Sequence, residues 1–343
     1  MGCGSSSDAG GAADAPAVKV LLLGSGGCGK TTFIKQMQLN YEKGFKPEVI
    51  EETTKQIQSN VLHRISVALS SDKEGLPPIE DSLKEMADLV ATAAKAEHEF
   101  RNEDGSLDAK VCAALQAIGV CETVKWFKEE TYYEAPWDWD FIVPKHLTRI
   151  FSAGFTATDM DVLNCRKATT GYHEYYFTID KNRLLFVDVG GQRKERATWV
   201  KAMEAVTAVI FVGSLTDYAV NLEEDSSKNR MDEALDLFER VYHSPKLKTV
   251  PTICFLNKTD LFRTLLSKVP LETKFTDYGG TPDYGSCLGY ISSKFAERSK
   301  AKPSEKQLLT FPVCSTDPDN FMKVFIAIKN ILMTSNLIAA GLL

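Results

Sequence analysis

One segment constrains this chain more than any other: Gly24-Ser25-Gly26-Gly27-Cys28-Gly29-Lys30-Thr31 satisfies every fixed position of G-x-x-x-x-G-K-[ST]. It follows Val18–Leu23, an apolar run broken only by Lys19 that reads as a buried strand, and it precedes Thr32–Leu39, which reads as a helix start. Strand, glycine-rich turn and helix in that order aim backbone N–H groups and a helix N-terminus at a phosphate chain. Lys30 is expected to reach the β and γ phosphates and the Thr31 hydroxyl to bind Mg2+, with Gly24 through Thr32 against the nucleotide.

Downstream the pattern changes. From about residue 47 to 164, apolar residues recur at helical spacing: Val61, Ile65 and Ala68–Leu69; Leu83, Met86–Ala87 and Val90; Val111, Leu115 and Ile118. Pro77–Pro78, Asp104–Gly105 and Pro136 punctuate this block, which lacks strong strand runs and reads as all-helical. Its aromatic residues Tyr132, Tyr133, Trp137 and Trp139 read as packing. Strands return after residue 170. His173, Tyr175, Phe177 and Ile179 alternate with polar neighbours, and Asp180–Asn182 turns the chain into Leu184–Val187 as a hairpin. Ala208–Val212, Thr252–Leu256 and Leu309–Cys314 follow, separated by helical stretches such as Met231–Tyr242. A last helix carries Phe321, Val324, Phe325, Ile328 and Leu332 as a stripe expected to pack on the sheet. Strand–helix alternation argues for an α/β fold with a mostly parallel sheet.

Two further motifs occupy strand ends. Asp188-Val189-Gly190-Gly191-Gln192 ends the Leu184–Val187 strand. An Asp there can hold Mg2+ through a water, and Gly191 lets a backbone N–H approach a γ phosphate. Asn257-Lys258-Thr259-Asp260 fits N-K-x-D. The Asp260 carboxylate can accept from N1–H and the exocyclic amine of guanine, a donor pair that adenine lacks, and such paired bonds give steep selectivity. Lys258 can lie along the base and Asn257 can brace neighbouring loops. Val313-Cys314-Ser315-Thr316-Asp317 is expected to present a backbone N–H near Ser315 to the guanine carbonyl, so Cys314 and Ser315 join the nucleotide site.

The formal net charge of −6 argues against a broad nucleic-acid footprint. The 8 cysteines form no CxxC pair or zinc spacing and read as free thiols. Residues 4–17, rich in Gly, Ala and Ser, are expected to be disordered. Met1-Gly2-Cys3-Gly4-Ser5-Ser6 fits the N-myristoylation pattern on Gly2, and a thioester on Cys3 would be the natural second anchor, since no polybasic patch accompanies it.

The order P-loop, DxxG, NKxD is that of the GTPase superfamily. Asp161-Val162-Leu163-Asn164-Cys165-Arg166-Lys167-Ala168-Thr169-Thr170-Gly171 resembles the first switch of heterotrimeric G protein alpha subunits. Asp188 through Arg193, Arg196 and Trp199 resembles their second, and Asn221 through Asp225 with Asn229-Arg230-Met231 their third. The resemblance covers residues 18 to 343, and in the helical block it rests mainly on position and length. It implies a Ras-like P-loop NTPase domain with a mostly parallel six-stranded sheet (18–46 and 165–343), an inserted all-α domain (47–164) and a lipidated leader (1–17). It also implies that Arg166 is a built-in arginine finger, Thr169 a second Mg2+ ligand and Gln192 the residue that orients water. Leu163 and Asn164 are expected beside the nucleotide. A guanidinium can fork onto two phosphate oxygens, and a neutral amide can both donate to phosphate and accept from water.

The implied activity is a GTPase switch that binds GTP or GDP with Mg2+ on the cytoplasmic face of the plasma membrane. Implied partners are a beta-gamma dimer, a seven-transmembrane receptor or other exchange factor, regulator-of-G-protein-signalling domain proteins and a downstream effector. The chain departs from the pattern in three places. Family members usually carry an acidic residue where Gly27 stands, able to pair with the arginine matched by Arg166, so Arg166 is expected to be less restrained in the GDP state. The residues before Val18 are too few and too poor in helix formers for the long N-terminal helix that lies on the beta subunit. Asn336 through Leu343 resembles the receptor-contacting tail, but Ala340 replaces the cysteine that pertussis toxin modifies in some members. Two other readings are a P-loop ATPase or kinase, which Asp260 opposes, and a nucleotide-bound scaffold that never cycles, which Arg166, Thr169 and Gln192 oppose.

Overall fold

A computed structural model describes residues 18–132, 139–180, 182–222, 224–300, 306 and 308–339, with side chains to residue 332. The leader with Gly2 and Cys3, together with Tyr133, Pro136, Trp137, Ala340 and the final residues, lies outside the described residues. The strands are β1 (Val18–Leu23), β2 (Tyr172–Ile179), β3 (Asn182–Val189), β4 (Ala208–Ser214), β5 (Asn221–Leu222), β6 (Asp225–Asn229), β7 (Thr252–Asn257) and β8 (Leu308–Val313). The helices are α1 (Lys30–Tyr41), α2 (Pro47–Leu69), α3 (Lys84–Lys95), α4 (Ala109–Ile118), α5 (Glu122–Thr131), α6 (Pro144–Ile150) and α7 (Asp159–Asn164). After the β2–β3 hairpin come α8 (Trp199–Ala202), α9 (Arg230–Tyr242), α10 (Thr259–Leu266), α11 (Tyr284–Ser299) and α12 (Pro318–Ala339).

The main sheet has 6 strands in the order β2-β3-β1-β4-β7-β8, and only β2 runs antiparallel to its neighbour. A strand covered on both faces needs apolar residues on both, which explains the near-continuous apolar run of β1. Val18, Val20 and Leu22 pack with Phe33 of α1 and with Phe321, Phe325, Ile328 and Leu332 of α12. Leu21 and Leu23 face the other way, toward Trp199, Phe238 and Phe295. The stripe expected on the last helix therefore packs as read, with Val324 only partly buried beside it.

Residues 47–164 hold α2 to α7 and have their own apolar core. Ile57, Val61 and Ile65 of α2 meet Val90, Val111, Leu115 and Ile118. Met86 is 39% exposed, so it lies off the buried face expected for it. Trp139 is fully buried with its ring 5.9 Å from that of Phe127, which is packing, and Tyr132 donates its hydroxyl to Asp140. Among the described residues no cysteine is in a disulfide, and no helix is long and apolar enough to cross a membrane. The segment after Gly191 winds first as a 3-10 turn (Arg193–Thr198) and only then as α8. The third-switch stretch forms a small antiparallel ladder, β5–β6.

Candidate functional site

Parallel strands leave an open crevice beyond their carboxyl ends, where loops converge. Here that crevice is a cleft between the sheet loops and the insert. Gly26, Gly27, Gly29, Lys30, Thr31 and Thr32 line it from the β1–α1 turn. Leu163, Asn164, Arg166 and Thr169 line it from the chain leaving the insert, Gly191 and Gln192 from the end of β3, and Asn257, Lys258, Asp260 and Ser315 from the ends of β7 and β8. The cleft therefore brings together groups more than a hundred residues apart in sequence.

Gly24, Ser25, Cys28, Asp188 and Cys314, expected against the nucleotide, are not among the lining residues. They stand one layer behind and hold those that are. The carbonyls of Gly24 and Ser25 each accept from Lys30 Nζ at 2.9 Å. The Cys28 carbonyl accepts from Asn257 Nδ2 at 2.8 Å, and Asn257 Oδ1 in turn accepts from the Ser315 N–H at 3.0 Å. Asn257 thus braces two loops, as its side chain allows. The Ser315 N–H is bonded to Asn257, and Ser315 itself lines the cleft. The Ser315 carbonyl accepts from Gln36 Nε2 at 2.9 Å. The Cys314 N–H donates to Asn320 Oδ1 at 2.7 Å.

Backbone geometry explains two of the glycines. Gly29 has φ of 110°, and a Cβ there would meet Asn257 Nδ2 at 2.1 Å. A Cβ on Gly191 would meet Lys30 Nζ at 2.4 Å and the Gly24 and Ser25 carbonyls at 2.6 Å, so only glycine fits against this turn. Lys258 adopts φ of 67°, an uncommon conformation that turns β7 sharply into α10 and sets Asp260 in that helix's first turn. Burial, with Arg230 nearby, brings the Lys258 amine down to about 8.

At the other end the Thr31 hydroxyl contacts that of Thr169 and donates to Asp188 Oδ2 at 2.7 Å. Asp188 is fully buried, and its Oδ1 has no hydrogen-bond partner among the described residues. Burial pushes its carboxyl up, against the pull of Lys30 and Thr31. A buried carboxylate oxygen left without a partner beside two hydroxyls is a hard oxygen donor set, which suits Mg2+.

Beyond Gly191 the chain is held by charge. Glu233 of α9 takes Lys228 Nζ at 2.7 Å and Arg193 Nη2 at 3.2 Å, and it pairs with Arg196. Burial raises the Glu233 carboxyl, but hydrogen bonds from Lys228, Arg196 and Arg193 overcome it and hold the group at about 2. Trp199 Nε1 donates to the Gly190 carbonyl at 2.9 Å, and the Gly171 N–H donates to Glu195 at 2.7 Å. The sequence reading missed Glu233 because two of its partners, Arg193 and Arg196, lie far away in the chain. It also missed Asp140 and Lys35, which line the cleft from the insert and from α1. Lys35 stands five residues after Lys30, a spacing that does not put the two on one helix face, and Asp140 carried no signal.

A phosphate-binding turn after β1, an acidic strand end at β3 and an Asn-Lys-x-Asp turn after β7 around one cleft define a P-loop nucleotide-binding protein of the α/β class. The sequence model described as "G-protein alpha subunit" matches residues 6–332. The chain is 36% identical to the "Guanine nucleotide-binding protein alpha-2 subunit" of Dictyostelium discoideum, over 95% of this chain and 91% of that one. It is 33% identical to the "Guanine nucleotide-binding protein subunit alpha" of Emericella nidulans and 31% to the "Guanine nucleotide-binding protein alpha-17 subunit" of Caenorhabditis elegans, at the same coverage. The chain belongs to the G-protein alpha-subunit family.

Proposed function

We propose that this alpha subunit is a GTP-hydrolysing molecular switch whose chemistry is carried by Lys30, Arg166 and Gln192. The observation that carries this reading is that all three line one cleft together with Asp260. Lys30 and the N–H groups around Gly26–Thr31 hold the phosphates, and Asp260 selects guanine through its two ring-edge donors. The Gln192 amide accepts from the attacking water and donates to the γ phosphate. Arg166 forks onto phosphate oxygens as charge develops on them. Mg2+, when bound, neutralises phosphate charge; the Thr31 and Thr169 hydroxyls would hold it directly and Asp188 through a water. Loss of the γ phosphate removes the contacts of Thr169 and Gly191, which frees the two segments that carry them.

The separate core of residues 47–164 supports their being a domain inserted into a GTPase domain built from 18–46 and 165–343. Acyl groups on Gly2 and Cys3 would anchor the protein to the cytoplasmic face of the plasma membrane, where a receptor loads it with GTP. Beta-gamma, regulator and effector proteins would read the segment from Gly191 to Trp199. Single-turnover GTP hydrolysis tests the core of this reading. Gln192→Leu is expected to slow hydrolysis by about a hundredfold or more while GDP affinity stays within about twofold, since the side chain acts on the water rather than on bound GDP. An unchanged rate refutes the assignment, and ATP displacing GDP at equal concentration would restore the ATPase reading.

A further inference from the structure

Arg166 reaches the cleft from a stretch that has no scaffold of its own. Residues 165–170 belong to no helix or strand, lying between the end of α7 and the start of β2. A guanidinium sits at the end of a long, rotatable side chain, so its aim depends on how firmly the backbone beneath it is fixed. Two side chains from elsewhere supply that fixation. Asn60, on the first helix of the insert, donates from Nδ2 to the Arg166 carbonyl at 2.9 Å. Lys35, on α1, donates to the neighbouring Cys165 carbonyl and to that of Val162, each at 2.8 Å.

The Asn60 amide is itself oriented. Its Oδ1 accepts from Gln56 Nε2 at 2.8 Å, one helical turn earlier. A backbone carbonyl can only accept, so the atom facing Arg166 must be the nitrogen. The chain of contacts runs from Gln56 to Asn60 to the backbone of Arg166, and it ends on the residue whose side chain lines the nucleotide cleft. The sheet side holds the preceding residue through Lys35, and the insert holds Arg166 itself.

We propose that Asn60 is a positioning residue for Arg166, tying the seating of the helical insert to the hydrolytic step. When the insert is seated, the carbonyl of Arg166 is clamped and its guanidinium is aimed. When the insert lifts, Asn60 leaves with it and the arginine loses its footing. Hydrolysis and nucleotide release then demand opposite placements of one helix. This inference rests on the reading of Arg166 as the catalytic arginine.

The test is a double-mutant cycle on the full chain, purified with GDP and loaded with GTP for single turnovers. Asn60→Ala removes the donor and is expected to slow hydrolysis about fivefold. Asn60→Asp keeps the shape but turns an anion toward the carbonyl, and it is expected to slow hydrolysis about tenfold or more. GDP dissociation and the melting temperature of the GDP form check that the fold survives; if one variant fails them, the other carries the test. In an Arg166→Ala background both Asn60 substitutions are expected to have no further effect, which a merely structural role would not produce. Asn60 variants that hydrolyse at the normal rate, or whose loss multiplies with that of Arg166→Ala, overturn the proposal. Arg166→Ala alone leaving the rate unchanged would instead refute the assignment of the arginine, and that outcome is read from a separate arm.

Discussion

The two sides of the cleft are held by different physics. The cradle around Gly24–Thr31 and Asn257 is fastened by short, buried hydrogen bonds: Asn257 to the Cys28 carbonyl and the Ser315 N–H, Gln36 to the Ser315 carbonyl, Lys30 to two loop carbonyls. The segment from Gly191 to Trp199 is fastened mainly by ion pairs to Glu233 and by single bonds such as that from Trp199 to Gly190. Buried bonds of the first kind are lost only at the full cost of desolvated, unpaired groups. The Arg193, Arg196 and Lys228 ends of the pairs to the buried Glu233 stay partly exposed, so they can be solvated and remade elsewhere when the segment moves. A cradle built the first way keeps its shape whichever nucleotide is bound. A segment built the second way can let go when one phosphate leaves.

That contrast can be broken at graded points. The largest effect is expected at Asn257→Ala. It strands the Cys28 carbonyl and the Ser315 N–H together, so GDP affinity should fall by about a hundredfold or more, measured by equilibrium titration with a fluorescent GDP analogue. A change within about threefold would show that the cradle does not depend on this brace. Glu233→Gln comes next. It leaves Arg193, Arg196 and Lys228 without their shared carboxylate, and it should destabilise the GTP-analogue form by about 1–3 kcal/mol, seen in thermal melts.

The pH dependence of that difference has a defined sign. The folded Glu233 carboxyl is held at about 2, below the ordinary glutamate value of about 4.3. Its contribution is therefore complete above the unfolded value and disappears as pH falls toward 2. The gap between the melts of the parent and Glu233→Gln should be flat from about pH 5 to 8 and shrink below about pH 4. A gap that closes near neutrality would mean that the cluster is not what holds the segment. The smallest effect is expected at Trp199→Phe, which loses one bond to the Gly190 carbonyl, worth about 1 kcal/mol. Trp199 is expected to report nucleotide exchange by a change in its fluorescence, which the substitution should abolish. Survival of that change would place the reporter elsewhere, at Trp126, Trp137 or Trp139.

Much of the site was legible because its chemistry is local in sequence. The P-loop needs glycines, a lysine and a hydroxyl within one turn, and Asn257–Asp260 needs a carboxylate at fixed distance from a strand end, so spacing alone identifies them. The sheet strands were legible for a similar reason, since burial on both faces forces long apolar runs such as Val18–Leu23. The residues that escaped are those whose meaning depends on a distant partner. Glu233 reads as one more charged position on an amphipathic helix until Lys228, Arg193 and Arg196 are seen around it. Asp140 and Asn60 lie in a block whose sequence shows helical periodicity and nothing more. The bond from the Ser315 N–H to the Asn257 side chain escaped for a related reason, because a distant acceptor cannot be read from a pentapeptide.

The sequence by itself determined the phosphate-binding turn, the strand–helix alternation and the family, because each follows from covalent spacing and from where apolar residues recur. Only the tertiary structure decided which groups line the cleft and which stand behind it. It alone showed that a buried Asp188 oxygen lacks a partner among the described residues, and that an asparagine from the insert holds the backbone of Arg166. Hydrogen bonds and charges act over a few ångströms of space, and the separation of two residues along a chain does not say whether folding brings them that close.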